Sequence, residues 1–212
     1  MTDKALLFIN GVPPEILPDH HNYSLIACSD GAFNYLIEKG FPLQELDFIS
    51  GDFDSHPGKE ESLYSDKFIF TPDQDKTDFE KSLEIIKSRG YKVVDVYGAS
   101  GGEMDHFLGN LTVAFHFIND LTIHFFDDYS TYYFSPKNLV LEVSPGSLVS
   151  LFPFPTARKV TTKGLKWALN GEDLQMTGRI GTRNIASATQ VKIQFESGNL
   201  VVFVGKTKQS EL

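Results

Sequence analysis

Two short stretches concentrate carboxylates where a chain could use them. In "FISGDFDSHPG", residues 48–58, Asp52 and Asp54 stand one residue apart behind the apolar run Leu46, Phe48 and Ile49. In "FIFTPDQDKTDFEKSL", Asp73, Asp75 and Asp78 follow a second apolar run. Carboxylates packed within a few ångströms raise one another's pKa or recruit a cation. Hard oxygen ligands suit Mg²⁺, which a few carboxylates hold together with waters and substrate phosphates. An aspartate after glycine also serves simply to cap a turn. Two acidic clusters at two strand ends favour metal binding over that plainer role, with a turn over 51–54 bringing Asp52 and Asp54 toward one ion.

Thr77 and Glu80 form a T-x-x-E capping box, which makes Thr77 the N-cap and Asp78 the first residue of a helix ending near Gly90. At that position Asp78 complements the helix macrodipole even without a metal. Lys76, just before the cap, either meets a phosphate or is solvated. In "GASGGEMDHF", glycines stand between a strand and a helix, where backbone amides can approach a phosphate closely. Asp105 is an N-cap candidate there. "GKT" at Gly205–Thr207 lacks the upstream glycine and a following helix, so it is no P-loop. The histidines do not cluster: His20 and His21 sit in a polar loop, and His116 and His124 read as packing or edge residues.

The elements that must position these groups follow from hydrophobic periodicity. "ALLFIN", "YSLIACSD", "DFISGD", "KFIFTP", "YKVVDVYG" and "LTIHFFDD" read as short strands. Between them, Phe33 and Ile37, then Phe79, Leu83 and Ile86, recur at helical spacing. A further helix, "MDHFLGNLTVAFHFI", is apolar around much of its circumference and is expected to be well buried. Strands apolar on both faces and joined by helices predict a parallel sheet covered on both sides. Ligands of such sheets bind outside the carboxyl ends of the strands. "CSDGA" with Asp30, "SGDFDS", "TPDQDKTD" and "GASGGEMDH" all fall on that edge.

After "FSPKN" the helical patterns stop. "LVLEVSPGSLVSLFPF", "KVTTKGLKWAL", "EDLQMTG" and "VKIQFESGNLVVFVG" alternate between turn signals, and the last predicts a hairpin turning at Ser197, Gly198 and Asn199. The expected fold is therefore α/β: a parallel-sheet nucleotide-binding domain over 1–136, then a small all-β, sandwich-like domain over 137–212. The 212 residues, 41% of them hydrophobic, suffice for two such cores. Cys28 is the single cysteine, which excludes a disulfide framework and a cysteine-based zinc site. A net charge of -9 argues against a nucleic-acid partner and suits a cationic ligand. No apolar run has the length of a membrane span, and Met1–Ile9 lacks a basic leader and cleavage site, so a cytoplasmic protein is expected.

In this order, "CSDGAFNYL", "ISGDFDS", "TPDQDKTDFEKSL", "GASGGEMDHFLGNL" and "TTKGLKW" resemble the thiamine pyrophosphokinase family across roughly residues 25–185. The resemblance implies an α/β nucleotide-binding domain and a β-rich domain, acting as a homodimer with thiamine held between subunits. It also implies transfer of the pyrophosphoryl group of ATP to the hydroxyl of thiamine, with release of AMP. By position, Asp52, Asp54 and Asp78 match the family's Mg²⁺-binding aspartates, and Asp30 and Asp105 match active-site aspartates. Asp30 is grouped with the ATP contacts, together with Gln74, Asp75, Lys76 and Thr77 and the glycine-rich residues Ser100, Gly101 and Gly102. Trp167, Thr182 and Asn184 fall on the thiamine side, with the tryptophan packing on the ring system. Two positions depart from the family pattern: Glu103 stands where a basic residue is usual, and Arg183 replaces the serine of an S-N pair. Two other readings remain at this point: a related Mg²⁺-dependent transferase or phosphohydrolase, and a binding module without catalysis.

Overall fold

The computed structural model describes residues 3–52 and 63–206. It divides into two compact units, Met1–Asp127 and Asp128–Leu212.

In the first unit the chain runs β1 (Lys4–Phe8), β2 (Leu25–Ser29), α1 (Asp30–Glu38), β3 (Phe48–Gly51), β4 (Phe68–Phe70), α2 (Asp78–Ser88), β5 (Val93–Tyr97), α3 (Met104–His116) and β6 (Thr122–Phe126). The strands lie in the order β4-β3-β2-β1-β5-β6, and every adjacent pair is parallel. From β1 the chain winds outward to β4, then returns to the other side of β1 for β5. The order therefore reverses between β1 and β5, which opens a crevice at their carboxyl ends.

Packing explains why these segments take these forms. β2 is buried along its whole length, and β1 beyond Lys4 likewise. On one face, Ala32, Phe33, Tyr35 and Leu36 of α1 pack with Leu6, Phe8, Ile26, Cys28 and Ile49. α2 buries Phe79, Leu83 and Ile86, each worth about 1.5–3 kcal/mol when removed from water. Its start follows the capping box, with Thr77 Oγ1 accepting from the Glu80 amide at 3.2 Å. α3 departs from expectation. Only Leu111, Val113 and Ala114 are buried, while Met104 and Leu108 are exposed; Asp105, His106, Gly109 and Asn110 border the crevice.

A buried carboxylate lies within this sheet. Asp95 of β5 is 1% exposed and is reached by Lys4, by Tyr23 Oη at 2.8 Å and by His124 Nδ1 at 3.2 Å. Burial alone raises its pKa, but the bonds from His124, Lys4 and Tyr23 outweigh that and hold the carboxyl below its ordinary value. His124 is thus a partner of a buried charge, not a mere edge residue.

The second unit is built on one long strand. It comprises β7 (Ser130–Phe134), β8 (Asn138–Glu142), β9 (Leu148–Lys163), β10 (Asn170–Gln175), β11 (Gly181–Ile185), β12 (Gln190–Gln194) and β13 (Ser197–Gly205). β10 and β11 pair antiparallel with one flank of β9, while β12 and β13 pair with the other. Val149, Leu151, Leu174, Val191, Ile193, Leu200 and Val202 are central to its core. The division at Asp127 precedes the expected boundary at 136, because β7 pairs residue by residue with β13 and so belongs to the second unit.

The expected hairpin at Ser197–Asn199 does not form. β12 and β13 lie end to end along β9, with Lys192 opposite Lys163 and Ser197 opposite Arg158. Gly198 marks a bulge instead: its φ is 83°, and a Cβ there would come within 2.1 Å of the Thr156 carbonyl oxygen.

Candidate active site

A cavity of about 680 Å³ occupies the carboxyl edge of the first unit's sheet. Ile9–Pro13 after β1, and Ala99, Gly101, Gly102, Glu103 and Asp105 after β5, form two of its walls, so it sits at the point where strand order reverses. Ser29, Asp52 and the start of α2 complete it.

Asp52 follows β3 directly and accepts a 2.9 Å bond from Gln74 Nε2. Asp54 lies outside the described residues. Asp78 opens α2, and its Oδ1 lies 2.8 Å from Lys81 Nζ. Beneath it, Ser82 Oγ donates to the Asp78 carbonyl at 2.6 Å and meets the buried Ser50 Oγ at 2.7 Å, tying the helix start to β3. Lys81 is 6% exposed and also donates to the carbonyls of Thr71 at 2.8 Å and Asp73 at 3.2 Å. It holds the segment after β4 against α2. Asp52 and Asp78 share the cavity, yet among the described residues they are not part of any set of three ligand atoms within 4.8 Å. Glu103, Asp105 and His106 do form such a set on the opposite wall, all three exposed.

Gln74, Lys76, Thr77, Gly101, Gly102 and Asp105 line the cavity as the sequence suggested. Asp30, Asp75 and Ser100 are not on its wall. Asp30 is 7% exposed, accepts from the Gly31 amide at 2.6 Å and rests against Gly51, where an added Cβ would meet its carboxylate at 2.4 Å. That close approach is why a glycine ends β3. Asp75 is exposed in the turn, its amide bonded to Asp73 Oδ1 at 2.9 Å, and Ser100 Oγ donates to Asp127 at 3.2 Å. Asp105 is no N-cap: Glu103 holds that position, and Asp105 Oδ1 accepts from the His106 amide at 3.0 Å.

The cavity's cations are already engaged. Lys76 Nζ lies 2.6 Å from Glu84, whose carboxylate bond holds the ammonium above the usual lysine range. Lys81 faces Asp78, and His106 lies 3.5 Å from Glu103. Sequence reasoning missed Asn10 and Gly11, although they follow β1 as the other polar insertions follow their strands. It also missed Lys81, which reads as an ordinary helix residue, and Ser29, the N-cap of α1. Ser29 is 2% exposed and its hydroxyl has no partner among the described residues.

In the second unit, Trp167, Thr182 and Asn184 border a smaller cavity of about 150 Å³ with Arg179. Trp167 is 54% exposed, so it is not core filling, and Lys166 Nζ lies 4.8 Å from its ring centroid. Thr182 is exposed, whereas Asn184 is 7% exposed. Arg183 occupies the left-handed region at φ 56° and donates its amide to Ser150 Oγ at 2.9 Å.

A parallel sheet with an acidic switch-point cavity, joined to an antiparallel unit that presents an exposed tryptophan, defines a two-domain α/β protein. The model of the thiamin pyrophosphokinase catalytic domain matches residues 20–125, and that of the thiamin pyrophosphokinase vitamin B1 binding domain matches residues 138–200. Thiamine pyrophosphokinase 1 of Oryza sativa subsp. japonica is 32% identical over 203 residues, covering 82% of this chain and 76% of that protein. Thiamine pyrophosphokinase of Bacillus subtilis is 22% identical and covers 94% of this chain and 97% of its own length. The solved structure of thiamin pyrophosphokinase from Candida albicans superposes with a TM-score of 0.82 at 20% identity, covering 97% of this chain and 90% of that one. The chain belongs to the thiamin pyrophosphokinase family.

Proposed function

We propose that this protein is an ATP-dependent diphosphotransferase that converts thiamine to thiamine diphosphate. The thiamine hydroxyl oxygen bonds to the β-phosphorus of ATP, the bond from that phosphorus to the α,β-bridging oxygen breaks, AMP leaves, and the hydroxyl proton passes to solvent. The observation that carries this reading is the cavity's charge. Carboxylates from separate strand and helix ends face it, and its lysines are already paired, so a triphosphate needs a divalent cation to enter.

The all-oxygen donors there fit Mg²⁺. Asp52 and Asp78 would hold it, together with Asp54. Bound there, the ion would neutralise charge developing on the phosphoryl oxygens. Gln74 fixes the Asp52 carboxylate, and Lys81 fixes Asp78. Thr77, Gly101 and Gly102 offer a helix start and unobstructed backbone to phosphates, and Lys76 is the cation nearest to hand. Trp167, with Thr182 beside it, presents an aromatic face to the thiamine cation, an attraction of about 0.5–2 kcal/mol depending on desolvation. A cytoplasmic homodimer belongs to the same proposal. The test is to incubate the protein with ATP, Mg²⁺ and thiamine and to identify products by mass. AMP with thiamine diphosphate supports the reading. ADP with thiamine monophosphate, or binding of both substrates without turnover, overturns it.

A further inference from the structure

We propose that Asn184 is a positioning residue for Trp167, gripping its backbone rather than touching the vitamin. The proposal rests on the reading of Trp167 as the surface that receives thiamine. β11 carries a register shift against β9 between Gly181 and Asn184, and Arg183 within it has a positive φ. After that irregularity, exposed Thr182 and Arg183 give way to a buried Asn184.

The carboxamide is engaged inside the protein. Oδ1 accepts from the amides of Trp167 at 3.1 Å and Ile185 at 2.9 Å, and Nδ2 donates to the Trp167 carbonyl at 2.7 Å. One side chain thus binds both the backbone donor and the backbone acceptor of a residue 17 positions away. Of four possible amide bonds, one N–H remains. Asparagine suits the task because it carries an acceptor and a donor on one carbon. Aspartate would accept from both amides but repel the Trp167 carbonyl.

Trp167 needs such a grip. It lies outside the strands, in the segment between β9 and β10, with its indole more than half exposed. The segment is anchored on both sides without Asn184: Lys166 N donates to the Ile185 carbonyl at 2.8 Å, and Leu169 N donates to Thr162 Oγ1 at 2.9 Å. Removing the carboxamide therefore loosens the indole while the segment stays attached.

The experiment compares Asn184→Ala, Asn184→Asp, Trp167→Ala and the double variant Asn184→Ala/Trp167→Ala in the full chain. Because Trp167 is the only tryptophan, its fluorescence anisotropy reports the grip directly, without activity. Asn184→Ala should lower that anisotropy and raise the KM for thiamine about tenfold, leaving the KM for ATP unchanged. Asn184→Asp should fall between it and the unsubstituted chain, and supplies the answer if the alanine variant does not fold. In the Trp167→Ala background, removing Asn184 should cost nothing further. An additive loss in the double variant means that Asn184 contacts thiamine itself and overturns the proposal. Unchanged anisotropy in both Asn184 variants overturns it as well. If Trp167→Ala leaves the thiamine KM unaltered, the vitamin reading of Trp167 fails, and the anisotropy still decides the grip.

Discussion

Asp52 and Glu84 are the residues whose roles can be separated most cleanly. Asp52 lies on the cavity wall just beyond the end of β3 and accepts a hydrogen bond from Gln74. Asp52→Asn keeps the shape and the Gln74 neighbour while removing a metal ligand. Turnover should be abolished with the thermal midpoint within a degree or two of the parent. A variant retaining Mg²⁺-dependent activity would remove Asp52 from the metal site. Glu84 acts in the opposite sense, because it draws Lys76 toward itself and away from any incoming phosphate. Both side chains are substantially exposed, so solvent screens the ion pair and it yields readily to a competing phosphate. Glu84→Gln should then lower the KM for ATP about two- to fivefold, measured at saturating thiamine. An unchanged KM would show that Lys76 does not meet the triphosphate.

At the scale of elements, β1, β5 and β6 are joined by a buried ionic cluster as well as by their backbone ladder. Asp95 is faced by Lys4 from β1, by Tyr23 from the segment before β2, by His124 from β6 and by Tyr97 of its own strand. The Asp95 charge and burial also press on Tyr97, pushed up to about 12, burial being the larger cause. Because the folded pKa of Asp95 lies below its unfolded value, its contribution to stability is present above the unfolded value. It is lost as pH falls through the folded one, in the region below about pH 4. Asp95→Asn should cost about 1.5–3 kcal/mol at neutral pH, the range for hydrogen bonds to charged groups. It should also flatten the acid limb of a stability-against-pH curve from urea unfolding. An acid limb as steep as the parent's would assign it to other carboxylates.

The strands and helices of the first unit were legible because each strand is a continuous apolar run closed by a polar insertion. Local patterns carry no information about which half of α3 meets the core. Met104 and Leu108 look as apolar as Leu111 and Val113, and only the tertiary packing of the helix tells them apart. The turn signal of Ser197–Asn199 misled for a similar reason. A glycine at positive φ serves a bulge as well as a hairpin, and the length of β9 decides between them. In the site, Asp52, Asp78 and the glycine turn were legible from strand-end chemistry. Lys81 was not, since its burial depends on carbonyls of Thr71 and Asp73 that the sequence gives no reason to place there.

For the whole molecule, the proposed homodimer makes a direct prediction. Light scattering across a concentration series should give twice the chain's 23.7 kDa. A constant monomer mass would remove the dimer, and with it any vitamin site shared between subunits. The net charge of -9 favours approach of Mg²⁺ and thiamine over that of free ATP, so the chelated nucleotide is the species expected to bind.

The long strand β9 also governs how the second unit can assemble. Its flank partner β13 pairs on its other edge with β7, which precedes β9 in sequence, and Ser130 of β7 lies opposite Gly205 of β13. Closing a loop of that length costs about 4 kcal/mol of chain entropy before any contact rewards it. Topologies rich in such distant pairings fold slowly. In the first unit most neighbouring strands have shorter closures to make, the pairing of Lys4 in β1 with Val93 in β5 being the exception. Until β13 docks, β7 and β9 each present a bare backbone edge, the kind of surface on which partly folded chains associate. Refolding yield should therefore be limited by the β-rich half, and by how soon its last strand arrives.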